Sequence, residues 1–114
     1  MLEQNFEADV VDGTLVVRGA VDDYGIIALR NLLAEHGGDL TGRLVVDLSE
    51  VDYLPSVAVG VLTRAMGAMR RAGGELDLVA RRGTVAQRVL MVCALPYRES
   101  VDDDFDPPDA GVPA

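Results

Sequence analysis

The chain has 114 residues, 49% of them hydrophobic, which suits one packed core and is too short for two ordinary domains. A formal net charge of -9 argues against a nucleic-acid partner, because such binding needs Lys and Arg to neutralise phosphates. No run approaches the roughly 20 apolar residues of a membrane span. Residues 1–9, with Glu3, Glu7 and Asp9, lack the basic start and apolar middle of a secretory signal, so a cytoplasmic location without a membrane partner is expected. One cysteine, Cys93, excludes an internal disulfide, and with His36 the only histidine no Cys/His metal site is expected.

The charge is uneven. Asp102, Asp103, Asp104, Asp106 and Asp109 crowd the last stretch, while Arg64, Arg70, Arg71, Arg81, Arg82 and Arg88 fall between positions 64 and 88. The folded body is therefore expected to carry an Arg-rich side.

In chain order, residues 6–11 and 14–21 are short apolar runs joined by Asp12-Gly13, a pair suited to the two positive-φ positions of a type I′ turn. A β-hairpin follows. Asp22 or Asp23 then caps a helix in which Ile26, Ile27, Leu29, Leu32 and Leu33 recur at helical spacing, and Gly37-Gly38 ends it. Leu44, Val45, Val46 and Leu48 form a nearly continuous apolar run, as in a strand covered on both faces of a parallel sheet. Pro55-Ser56 leads into a long helix over 57–71, with Val59, Leu62, Met66 and Met69 on one face, Arg64, Arg70 and Arg71 away from it, and Gly73-Gly74 as its close. Residues 75–80 alternate Leu76, Leu78 and Ala80 with Glu75, Asp77 and Val79, a strand pattern. Thr84 caps a third helix striped by Val85, Val89, Leu90 and Val92, and residues 97–101 leave room for a last short strand. The order β-β-α-β-α-β-α-(β) predicts a single α/β domain over 1–101, a mixed sheet of four to five strands with three to four helices. Residues 102–114 are expected to form an acidic, Pro-containing, disordered tail.

No constellation supports catalysis. His36 precedes a helix end without a nearby Ser or Cys, where an imidazole serves the helix dipole. Cys93 is expected inside the apolar face of the last helix as an inert thiol. Both Gly-Gly pairs follow helices, so neither cradles a phosphate at a helix N-terminus, and no cofactor is expected. Asp47, Glu50 and Asp52 lack a metal-binding spacing and read as a solvated loop.

Residues 45–62, VVDLSEVDYLPSVAVGVL, carry the information. A buried strand ends in a polar loop that delivers Ser56 to the first position of a helix. Two readings stay open for its hydroxyl: an ordinary N-cap worth about 1 kcal/mol, or an acceptor for a phosphate that the helix dipole would welcome.

This stretch resembles the STAS domains of bacterial anti-anti-sigma factors. Their pattern is a strand ending in V-x-D-L-S, a short loop, an acidic residue, two serines, Gly, Leu, and then Gly-Val-Leu. Val45-Val46-Asp47-Leu48-Ser49 and Gly60-Val61-Leu62 match it, and the Arg-Ala-Gly-Gly run at positions 71–74 before a strand fits the same layout. The resemblance covers about residues 6–101. It implies a non-enzymatic antagonist that binds an anti-sigma factor, often a serine kinase, and so releases a sigma factor; phosphorylation of the first loop serine abolishes binding and a phosphatase restores it. Ser56 aligns with that serine. The implied partner surface is Tyr53, Leu54, Pro55, Ser56, Val57, Ala58, Val59 and Gly60, with Arg64 nearby. Pro55, Val57 and Ala58 stand where the family has its acid, second serine and glycine, and the added Ala58 methyl is expected to hinder close approach of a kinase. The alternative is a diverged domain of the same fold without a phosphoswitch, acting as a constitutive protein-binding or scaffold module.

Overall fold

Asp12 and Gly13 both take positive φ, 51° and 81°, and fold β1 (Glu7–Val11) onto β2 (Thr14–Ala20) in antiparallel register from Glu7 opposite Arg18 to Val11 opposite Thr14. The computed structural model describes residues 5–37 and 41–100. Among them follow α1 (Asp23–His36), β3 (Arg43–Tyr53), α2 (Ser56–Arg71), β4 (Glu75–Val79) and α3 (Val85–Val92). The sheet order is β1-β2-β3-β4, with β3 parallel to both β2 and β4. Gly38 and the residues of the acidic tail lie outside the described residues.

The two crossovers, β2–α1–β3 and β3–α2–β4, step in the same direction. Right-handed connections therefore lay α1 and α2 on one face of the sheet. That face is apolar: Leu15, Val46 and Leu78 sit side by side in register, as do Leu44 and Leu76, and all are buried. Leu29 and Leu33 from α1 and Leu62 and Met69 from α2 complete this core, and Ala86 and Leu90 of α3 join it. Three helix ends match their sequence signals. Asp22 accepts the Gly25 amide at 2.9 Å, Thr84 accepts the Gln87 amide at 3.1 Å, and Gly73 takes φ +93° just past α2.

Four expectations are corrected. Ile27 belongs to no core stripe; it is exposed, because Ile26, Leu29 and Leu33 already fill the buried face of α1. On α3 the buried pair is Ala86 and Leu90, spaced i,i+4, which turns Val85 and Val92 outward. Cys93 is exposed at the end of that helix, not buried in it. The strand expected at 97–101 reduces, among the described residues, to a parallel bridge between Val79 and Arg98.

That bridge explains a further departure. The alternation in residues 75–80 suggests that Asp77 and Val79 face water, yet both are buried. The chain returning from α3 lies along β4: the Arg98 amide donates to the Leu78 carbonyl and the Ala80 amide to the Arg98 carbonyl, each at 2.9 Å. Its guanidinium, nearly buried, reaches Asp77 Oδ2 at 2.9 Å, and Arg43 meets the same oxygen at 2.6 Å from the neighbouring strand. A carboxylate shared by two arginines stitches β3, β4 and the C-terminal segment together. Asp77→Ala would leave the Arg98 charge without it in the interior, so unfolding in urea should report a loss of about 3 kcal/mol. Asp9→Ala, which removes only an exposed pair with Arg18, should cost under about 1 kcal/mol.

Candidate partner-binding site

Parallel strands place the loops after β2 and β3 at the same edge of the sheet. A hydrogen bond from the Val21 amide to the Tyr53 carbonyl, 2.9 Å, ties the two loops together. Pro55, at φ -75° and ψ 164°, then turns the chain into α2, and its carbonyl accepts the Ala58 and Val59 amides at 2.9 and 3.1 Å. Proline occupies the cap position, so the cap has no side-chain acceptor, and the first turn of α2 contains no acidic residue. Ser56 is the first helical residue and is exposed. Of the two readings left open by its sequence position, the capping role is thus removed. The helix start carries orphan amides and an uncompensated positive dipole end beside a free hydroxyl.

Beside Ser56 lies a cleft of about 480 Å³, lined by Asp22, Asp23, Tyr24, Tyr53, Pro55 and Val57 among others. Tyr24 is 72% exposed, Val57 59% and Tyr53 53%, and Ile27 is exposed one turn along α1. Aromatic and apolar side chains left in water around a concave surface are what a protein interface uses for its anchors. Asp23 adds a carboxylate at the cleft's edge.

Of the nine residues implied by the family resemblance, Tyr53, Pro55, Ser56, Val57, Gly60 and Arg64 reach the surface. Leu54, Ala58 and Val59 do not: they are buried in the core and can only hold the loop in place. The Ala58 methyl faces inward and raises no barrier to an approaching partner. Tyr24, Ile27 and Asp23 were not anticipated, although the rule that ligand-binding loops of parallel sheets gather at the strands' C-terminal edge points to the β2–α1 loop.

Three polar residues near the end of β3 have structural partners. Asp47 accepts the Ser49 amide at 2.9 Å, Glu50 pairs with Arg18, and Ser49 Oγ accepts the Arg81 amide at 2.9 Å, tying the end of β3 to the loop after β4. His36 is exposed in the last turn of α1. Among the described residues no three His, Cys, Asp or Glu side chains are grouped to hold a metal ion. Nor is any helix there long and apolar enough to cross a membrane.

A fold of this order, with a cleft at its loop edge, defines a small STAS-type α/β module. Residues 5–93 match the family model described as Mlab, STAS domain, and the chain belongs to that family. Among solved structures it is similar to an anti-sigma factor antagonist from Mycobacterium paratuberculosis, with 25% identity over 87% of this chain and 88% of that one and a TM-score of 0.65. It shares its fold with the anti-sigma factor antagonist SpoIIAA in its unphosphorylated form (21% identity, 80% and 82% coverage, TM-score 0.60). The same holds for a candidate anti-sigma factor antagonist from Thermotoga maritima (17% identity, 84% and 87% coverage, TM-score 0.63).

The missing cap has a measurable consequence. Ser56→Ala should shift unfolding stability by less than about 0.5 kcal/mol, whereas Thr84→Ala and Asp22→Ala, which remove side-chain caps that do accept amides, should each cost about 1 kcal/mol. A loss at Ser56 equal to that at Thr84 would show that its hydroxyl caps α2 after all.

Proposed function

We propose that this chain is an anti-sigma factor antagonist acting in the cytoplasm. It binds an anti-sigma factor through the Tyr53, Pro55, Val57 and Tyr24 surface and so releases a sigma factor. Residues 1–101 form the binding body and 102–114 an appended acidic tail. The observation that carries the reading is the exposed, non-capping Ser56 hydroxyl at the start of α2, next to a cleft lined by Tyr24, Tyr53 and Val57 together with Asp22 and Asp23. The kinship with the Mycobacterium protein gives the partner class.

In this reading the anti-sigma factor is also a serine kinase. The Ser56 oxygen attacks the γ-phosphorus of ATP, its proton is lost, and ADP leaves; a phosphatase reverses the modification by hydrolysis. The added group, with a charge near -2, is favoured by the start of α2 by about 0.3–1 kcal/mol, so the domain stays folded. The complex is not spared, because a phosphate beside Tyr53 and Val57 would have to shed its water within an apolar contact. Modification switches binding without disturbing the fold.

A second reading is favoured by one observation, Pro55 in place of the family's acidic residue. Here the same surface binds constitutively and Ser56 is only a helix residue. Binding measured with the purified anti-sigma factor separates the two. Tyr53→Ala should weaken the complex about 30-fold (about 2 kcal/mol) in either case. Ser56→Asp should weaken it at least tenfold only if the switch operates. Full affinity in Ser56→Asp, together with no mass gain after incubation with the kinase and ATP, refutes the switch. Full affinity in Tyr53→Ala refutes the surface.

A further inference from the structure

α1 and α2 leave between them a groove of about 270 Å³, with Leu33, Val61, Ala65 and Met69 lining it and Arg30 and Arg64 at its rim. Both arginines are exposed, and like Arg70, Arg71, Arg81 and Arg88 neither forms an ion pair among the described residues; what distinguishes them is their place beside an apolar floor. An apolar floor under two unneutralised guanidinium groups complements an apolar side chain flanked by carboxylates. The chain itself contains such a segment: Asp102-Asp103-Asp104-Phe105-Asp106 sets four carboxylates around one phenylalanine.

We infer that this acidic segment docks into the α1–α2 groove of its own chain, with Phe105 over the apolar floor and its neighbouring carboxylates against Arg30 and Arg64. The place where the described chain ends suits this. Arg98 is held along β4, and Pro96, Tyr97 and Arg98 share a cleft with Met66 and Arg70 of α2. The chain thus leaves the sheet alongside the helix that forms one wall of the groove. Phe105 lies five residues beyond Ser100, a reach of about 17 Å when extended, which matches the roughly 16–19 Å arc over the outside of a helix about 10–12 Å across. The helix to be crossed is low: a Cβ at Gly60 would meet only Arg64 Nη1, at 3.8 Å, and one at Gly67 only Arg71 Nη1, at 3.4 Å. No packing inside the domain demands glycine at either position, and each glycine weakens the helix relative to alanine. A tether this short holds the segment at about millimolar effective concentration, so a weak contact is enough.

The inference does not depend on the identity of the partner, and the full-length chain tests it alone. Because the protein has no tryptophan, Phe105→Trp installs a single fluorophore. Its emission should be blue-shifted and several-fold less quenched by acrylamide than that of a free peptide of residues 101–114 carrying the same substitution. Arg30→Glu with Arg64→Glu, and separately 1 M salt, should abolish the difference, while Arg81→Glu with Arg88→Glu should not; circular dichroism verifies that each variant is folded. Emission equal to that of the free peptide overturns the inference. So does shielding that survives the groove substitutions, or shielding that grows with protein concentration, which would mean docking on a second copy.

Discussion

The pairing of β3 in parallel with strands on both sides sets the geometry of the whole molecule. An antiparallel β3 could be reached by a tight turn, but a parallel one requires a crossover, and the crossover must be a helix packed on the sheet. Two such crossovers in succession lay α1 and α2 together over Leu15, Val46 and Leu78. They also bring the C-terminal ends of β2 and β3 to one edge, where Val21 and Tyr53 are joined by a backbone hydrogen bond. The proposed partner surface is a by-product of this arrangement: segments over thirty residues apart meet because the strands before them run side by side.

The same topology sorts the charge. From Leu54 to Ser100 there are seven arginines against Glu75, Asp77 and Glu99, whereas carboxylates dominate the described residues before Leu54. The boundary falls at the β3–α2 loop, so Ser56 has Asp22 and Asp23 on one side and Arg64 further along its own helix. A charge added at this boundary changes the potential over both halves, whereas one placed deep in either half would alter a field of fixed sign. Local context explains why the modification would be tolerated. α1 and α3 already carry side-chain caps, and α2 has none.

Much of this was legible in the sequence because the relevant signals are local. The Asp12-Gly13 turn, the caps at Asp22 and Thr84 and the glycine after α2 each depend on a few adjacent residues, and each appears where the pattern puts it. The order of elements, and with it the fold, follows from these. The misses are all long-range. Alternation in β4 shows which residues share a face but not that Arg98, 21 positions on, buries Asp77. Periodicity cannot tell that α3 buries only Ala86 and Leu90, leaving Val92 and Cys93 in water. At the site, a linear motif runs through Leu54 to Gly60, but the helical turn sends Leu54, Ala58 and Val59 inward and keeps Ser56 and Val57 outward. Tyr24, which belongs to the surface, is remote in sequence from the motif.

Pro55 bears on the cost of ordering the proposed binding loop. Proline fixes its own φ and biases Leu54 toward extended geometry, so the loop gives up little further backbone freedom when a partner docks. Leu54, Ala58 and Val59 press the same loop onto the core from within, and the Val21 to Tyr53 hydrogen bond holds its start. Each restraint that would be wasted in a solvent-filled connection contributes here to a preformed surface. An acidic residue at position 55 could make a polar contact with a partner or orient the hydroxyl; a proline can do neither. What it supplies instead is rigidity, which keeps Tyr53, Ser56 and Val57 in one arrangement before any partner arrives. A surface prepared in this way gains little by remodelling on contact. Under the proposed switch, a single phosphate on Ser56 would alter that surface while leaving every restraint beneath it intact.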